Sequence, residues 1–279
     1  MKILLSGITI RQVNDIQRVN KPLMADENWQ INQDEFALQA EGIGNFYASE
    51  GKYVEFIPIP GTDPDLINLI LNGQVLAALL HQRKIIHFHA SSFIYKNLGI
   101  MILGETGAGK SSITASFLLE GAEFLSDDIT PVIFPEGMPN LWPLNSTLKL
   151  RENAVKQLLI KPGKLKKSAA GTGKFSLETM HSKKASFPLN IIFKIEIGDN
   201  QDPEFEIPDT SAKFSILRSE ICSWEMLKGM ALTEKEYFHQ LIKIVEKVRL
   251  IRIIRPEETR IMFMHELIED IIEKVWSPT

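Results

Sequence analysis

The stretch Gly104-Glu105-Thr106-Gly107-Ala108-Gly109-Lys110-Ser111 fits the pattern GxxxxGK[ST] at every fixed position. Those residue types serve one kind of chemistry. Glycines let successive backbone N–H groups curl around phosphate oxygens, and a helix starting near Lys110 aims the positive end of its dipole at the same charge. Lys110 would reach the terminal phosphates, the Ser111 hydroxyl would ligate Mg²⁺, and Ser112 lies in the same first turn. Seventeen residues after Lys110 comes Ser126-Asp127-Asp128, which closes the apolar run Phe124-Leu125. An acid at the carboxyl end of a strand beside a glycine loop is where a Mg²⁺ ligand belongs. Two consecutive acids imply two tasks, one on the metal and one accepting a proton from an attacking hydroxyl. Taken alone, the pair also fits an ordinary turn or helix cap.

The flanking pattern indicates how these residues are held. An apolar strand, Gly99 to Leu103, enters the loop, and a short helix with Ile113, Phe117 and Leu118 on its apolar side leaves it, ended by Gly121. The apolar runs IIHFHASSFI (85–94) and LGIMIL (98–103) are separated by Tyr95-Lys96-Asn97. That connection is too short for a parallel crossover, so the two strands are expected to pair antiparallel, giving a mixed sheet.

Residues 1 to about 62 hold short alternating runs broken by Gly and Pro turns, and read as a small β region. Asp63-Pro64-Asp65 then opens a helix with apolar residues from Leu66 to Leu80 at helical spacing. The expected organisation is a β-rich region over 1–80 ending in that linking helix, followed by a nucleotide-binding core over 81–279. Within the core, strands are expected at Ile129 to Phe134, Leu189 to Ile197, Phe205 to Ile207 and Val248 to Ile254, with helices on either side of the last. The segment LKLRENAVKQLL turns helical near Arg151. Residues 161–184 carry seven lysines (161, 164, 166, 167, 174, 183, 184) against Glu178, and with Gly163, Gly171 and Gly173 they read as a mobile basic loop.

His87 and His89 would alternate along one strand face with Ser91, above the phosphate site. Lys149, Arg151 and the lysines of 161–184 are candidates for closing over a nucleotide or attracting an acidic peptide. The net charge of −4 over 279 residues argues against binding nucleic acid through overall charge. The one cysteine, Cys222, has no internal disulfide partner and no zinc-finger neighbours. No window approaches the roughly 18 apolar residues of a membrane span, and the apolar run at the start is too short for a signal peptide. A soluble cytoplasmic protein with no membrane partner is expected.

The segment HASSFIYKNLGIMILGETGAGKSSITASFLLEGAEFLSDD resembles the C-terminal kinase domain of HPr kinase/phosphorylase, whose nucleotide-binding architecture is shared with phosphoenolpyruvate carboxykinases. His89 stands fifteen residues before Gly104 and Asp127 seventeen after Lys110, as in the family pattern. The resemblance covers about residues 85–134 closely and the rest of the core diffusely. Over residues 1–75 the chain is similar instead to shorter HPr-kinase-related proteins, some of which phosphorylate serine on precursor peptides in modified-peptide biosynthesis.

The resemblance implies an α/β fold with a mixed sheet, a P-loop kinase core, and ATP with Mg²⁺ as cofactors. It makes Gly104, Glu105, Thr106, Gly107, Ala108, Gly109, Lys110, Ser111 and Ser112 the phosphate cradle. Asp127 would be the general base, His89 a polar neighbour of the reacting phosphate, Ser111 and Asp128 the metal-side ligands, and Lys149 and Arg151 contacts for the substrate. The implied acceptor is a serine of a peptide or small protein. Family members form oligomers, so a homo-oligomer is among the implied states. The chain lacks the Glu-x-Arg-Gly-Leu-Gly type segment of the HPr enzymes, the nearest residues being Lys149-Leu150-Arg151-Glu152. Neither HPr as acceptor nor the reverse reaction is therefore carried over. A catalytically silent nucleotide-binding regulator and a small-molecule kinase are the alternatives.

Overall fold

In the computed structural model, which describes residues 1, 3–144, 147–167, 173–179 and 185–276, the chain is α/β with mixed sheets. Its α-helices are α1 (Pro64–Ile70), α2 (Leu76–Gln82), α3 (Lys110–Leu119), α4 (Glu152–Gln157), α5 (Thr210–Ser219), α6 (Ala231–Lys247) and α7 (Ile261–Trp276). Two compact units emerge. The first comprises Met1–Phe88 with Pro131–Ile133 and Phe214–Glu246, and the second His89–Thr130, Phe134–Lys213 and Lys247–Thr279. The first unit thus takes in segments from far along the chain, which a division into consecutive stretches does not contain.

The first unit is built on a six-stranded sheet of β1 (Thr9–Gln12), β2 (Met24–Ala25), β3 (Trp29–Ile31), β4 (Glu35–Ala40), β5 (Gly44–Ser49) and β6 (Tyr53–Pro58), in the order β1-β6-β5-β4-β3-β2. Only β1 and β6 are parallel. Period-two alternation sets the register: Phe36 faces Ala48, Leu38 faces Phe46, and Phe46 faces Phe56, all buried. Asp63 caps α1 by accepting from the Asp65 backbone N–H at 2.9 Å. A wide turn around Gly73 joins α1 to α2, whose residues from Leu76 to His81 are all buried. A short strand, β7 (His87–Phe88), ends the first stretch of this unit.

The second unit contains β8 (Ala90–Tyr95), β9 (Leu98–Leu103), β10 (Glu123–Ser126), β12 (Asn140–Leu141), β13 (Thr147–Arg151), β14 (Leu165–Lys167), β15 (Lys174–Glu178), β16 (Phe187–Ile197), β17 (Glu204–Glu206) and β18 (Arg249–Arg255), with Thr130–Ile133 forming β11 between β10 and β12 along the chain. β8 and β9 form the expected antiparallel hairpin, turned by Lys96 and Asn97 at φ 47° and 61°. Two successive left-handed residues match the twist of a two-residue hairpin turn. On its other side β9 pairs parallel with β16, and β16 pairs parallel with β18. β10 lies antiparallel on the far side of β8, so it runs in the same direction as β9.

The directions have a geometric consequence. The carboxyl ends of β10, β9, β16 and β18, together with the start of β8, meet at one edge of the sheet, where ligands bind in open α/β sheets. Helices α3 and α7 cover the sheet through Ile113, Phe117, Met264 and Ile268, packed on Phe93, Ile102, Phe193 and Ile251. A second apolar cluster joins Ala115 and Phe124 to Leu148, Leu150 and Leu177 of a small antiparallel sheet in the order β13-β15-β14. The basic segment is therefore not simply a loop: Leu165–Lys167 and Lys174–Glu178 are strands of this small sheet. Its regular pairing follows from Leu165, Phe175 and Leu177, whose alternation the lysines mask in a composition count. Lys183 and Lys184 lie outside the described residues.

Candidate functional site

A cleft of about 810 Å³ opens at the sheet edge where those strand ends meet, entirely within the second unit. Its floor is the glycine loop between β9 and α3. Gly104 leaves β9 at φ 150°, and a Cβ there would lie 2.5 Å from the Ile195 carbonyl oxygen, so only glycine lets the loop turn this close to β16. Gly109 caps α3 in the left-handed region at φ 101° with no side-chain cap. The helix therefore presents its first N–H groups to the cleft without a side chain competing for them. Lys110 is only 7% exposed, and its Nζ donates to the carbonyls of Gly104 at 2.6 Å and Glu105 at 3.2 Å. This holds the ammonium over the loop, next to the space a phosphate would fill.

Of the two acids Asp128 lines the cleft, whereas Asp127 is buried behind the lining residues Ser111 and Lys149. Ser111 Oγ donates to Asp127 Oδ1 at 2.9 Å, and the Lys149 backbone N–H donates to Asp127 Oδ2 at 3.2 Å. Asp127 is 3% exposed, and burial, followed by repulsion from Asp128, pushes its carboxyl up to about 6. Asp128 occupies a strained position at φ 67°, inside a tight turn closed by Ile129 N–H on the Asp127 carbonyl at 2.9 Å. That turn carries Asp128 into the cleft lining. Burial would raise its carboxyl too, but the Lys149 ammonium at 2.8 Å, with Lys174 and His89 beyond, outweighs burial and holds it below the usual carboxylate range.

Leu148 and Leu150 are buried, so alternation along β13 turns Lys149 and Arg151 to the opposite face, where both line the cleft. Lys174 joins them from β15. The two histidines separate. His89 is a bend between β7 and β8 and lines the cleft, whereas His87 is fully buried in the first unit, its ring 4.4 Å from that of His81. The strand face expected to carry His87, His89 and Ser91 together is broken at that bend.

The cleft also contains residues that their sequence surroundings do not single out. Arg255, at the carboxyl end of β18, donates to the Ala108 carbonyl from Nη2 at 3.1 Å and Nε at 3.3 Å, bracing the glycine loop from below. Asn153, Gln157, Glu257 and Thr259 line the same space. The Arg255-Pro256 step ending an apolar strand is the available signal, but nothing local tells which loop that arginine meets.

The donor set suits a divalent cation bound with phosphates. Ser111, Asp127 and Asp128 offer only oxygen, as Mg²⁺ prefers, and two adjacent carboxylates face one lysine. At Gly107 a Cβ would meet nothing within 4 Å, so the loop is open above α3.

No family model matches this sequence, and none of the curated proteins does. Among solved structures the chain is similar to the HPr(Ser) kinase/phosphatase from Coxiella burnetii, with a TM-score of 0.36 and 11% identity over 68% of this chain and 92% of that one. A likeness this loose transfers no residue role. Among the described residues, no helix is long and apolar enough to cross a membrane.

Proposed function

We propose that the chain is an ATP- and Mg²⁺-dependent kinase that transfers the γ-phosphoryl group to a hydroxyl, a serine of a peptide or small protein. The observation that carries this reading is the hydrogen bond from Ser111 of the glycine loop to Asp127, with Asp128 beside it in the cleft. A loop that only bound phosphate would not need a second carboxylate at the same edge. In phosphoryl transfer the protein mainly positions groups and neutralises charge. The glycine loop and the α3 N-terminus would bind the phosphates, and Lys110 would follow them from its present carbonyl partners. Ser111 and Asp128 would hold Mg²⁺, which when bound offsets the charge on the phosphate oxygens. Asp127, with a carboxyl near 6, is poised to take the acceptor's proton at neutral pH. His89, Lys149 and Arg151 would line the path of the acceptor, and the basic side chains favour an acidic peptide.

The Ser111 bond favours a second division of labour, in which Asp127 is the metal-side acid and Asp128, open to the cleft, is the base. Paired variants separate the two. The base variant, Asp→Asn, is expected to lose transfer by orders of magnitude at an unchanged Mg²⁺ requirement, whereas the metal-side variant shifts that requirement upward.

The test is transfer from γ-labelled ATP to serine peptides encoded beside the gene, with Mg²⁺ and with Asp127→Asn and Asp128→Asn as controls. Label on serine, lost in the variants, is the expected result. ATP binding without any labelled peptide would instead favour a small-molecule acceptor or a silent nucleotide-gated regulator. Absence of ATP binding would overturn the reading altogether.

A further inference from the structure

Away from the cleft, the far end of α3 meets α7 at a group of side chains that the proposed reaction does not use. His265 of α7 is 1% exposed, its ring 4.1 Å from that of Phe117. Its Nδ1 lies 3.1 Å from Ser116 Oγ. The Ser116 hydroxyl is placed to donate to the Ile113 carbonyl at 2.7 Å, and with its proton there the serine oxygen accepts and Nδ1 carries the ring's proton. In the neutral ring Nε2 is then a bare lone pair. It is buried and has no hydrogen-bond partner of acceptable geometry. Yet it faces two carboxylate oxygens, Glu120 Oε2 at 3.1 Å and Glu269 Oε2 at 4.0 Å.

A lone pair pointed at two anions is repulsive unless a cation lies between them. We propose that Glu120, His265 and Glu269 bind one divalent transition-metal cation, with Zn²⁺ the ion they suit best. One imidazole and two carboxylates form a donor set that zinc takes and Mg²⁺ does not favour. The three donor atoms lie within 4.8 Å of one another. Zinc–ligand bonds of about 2.0–2.1 Å place tetrahedral donors roughly 3.4 Å apart, so sub-ångström shifts of the glutamates would complete the site.

The surroundings are organised for this. Ser116 fixes the tautomer and orientation of the histidine, as second partners of metal-bound imidazoles do. Tyr95 Oη at 2.5 Å and Lys96 Nζ at 2.9 Å both donate to Glu269 Oε1, which orients the carboxylate and leaves Oε2 turned toward His265. Lys96 also pairs with Glu273 at 2.8 Å, so its charge is shared. Glu120 lines a hollow of about 290 Å³ through which an ion and a completing water can arrive. A bound ion would tie the carboxyl end of the glycine-loop helix to α7.

The test uses the full chain, stripped with a chelator and titrated calorimetrically with ZnCl₂ in excess Mg²⁺, which occupies the oxygen donors of the cleft. One equivalent of zinc is expected to bind and to raise the melting temperature. Glu120→Gln alters an exposed side chain at a helix end, so it should fold normally while weakening zinc by about tenfold or more. His265→Asn retains a donor toward Ser116 and removes the Nε2 ligand, and should do the same. No stoichiometric zinc binding would overturn the site; that is the outcome if Nε2 instead carries a proton and donates it toward Glu120. Zinc binding unchanged in both variants would overturn it equally, by placing the metal elsewhere.

Discussion

The acids of the candidate site depend on partners distant in sequence. Asp127 is buried by the fold yet kept polar by Ser111 and the Lys149 backbone, and Asp128 is aimed by a strained turn. Gly104 is the most exacting position. Its Cβ direction runs into the Ile195 carbonyl at 2.5 Å and Ala108 Cβ at 3.0 Å, in a backbone region that disfavours side chains. Gly104→Ala is therefore expected to destabilise the protein by about 1–3 kcal/mol. It should weaken ATP binding as well, because the loop must move off β16. Urea unfolding midpoints beside nucleotide titrations check both effects, and an unchanged midpoint would refute the contact.

At the scale of elements, α3 has two jobs along its length: its first turn faces the cleft, and Phe117 in its second half anchors the helix. Phe117 is fully buried and meets Phe93 at 5.0 Å, Tyr95 at 4.9 Å and His265 at 4.1 Å between ring centroids. Phe117→Ala should cost about 3–5 kcal/mol of stability through lost burial and the cavity left behind. Nucleotide affinity measured well below the melting temperature should stay within a few fold of the original, since the first turn is untouched. A large loss of affinity in protein still folded by circular dichroism would mean that the anchor also sets the loop geometry. The hairpin β8–β9 was legible because a short polar connection between apolar runs admits little else. The small sheet of β13, β14 and β15 was not legible, because lysines interrupt its alternation and β13 pairs with β15 rather than with the nearer β14.

At the scale of the molecule, His87 of the first unit and Asp127 of the second respond to pH in opposite senses. In the first unit, burial lowers His87 from its ordinary 6.5 to about 4, and burial followed by the neighbouring His87 also holds His81 well below its ordinary value. At these sites the unfolded chain then binds more protons than the folded one between pH 4 and 6.5, so the histidines' contribution to stability is fully present above about pH 6.5 and is lost as pH falls toward 4. In the second unit Asp127 is raised from 3.8 to about 6, so its contribution is favourable in acid and is lost as pH rises through 6. Amide hydrogen exchange of the metal-free protein, corrected for intrinsic rates, should show protection of α2 falling from pH 7 to pH 5. His87→Gln should flatten that fall. Protection of α2 independent of pH would mean that the buried histidines are not neutral in the folded state.

The glycine loop, its strand and helix, the acid pair and the hairpin could all be read from the sequence, because each is set by local spacing and by the conformational limits of a few residues. The tertiary structure alone decided the rest. It brought Lys149, Arg151, Lys174 and Arg255 to the carboxyl edge of the sheet, separated His87 from His89, and returned Phe214–Glu246 to the first unit. It also joined Glu120 to His265 and Glu269 across two helices. Strand order and helix packing fix those meetings through the burial of apolar surface over long separations, and no short window of sequence contains that information.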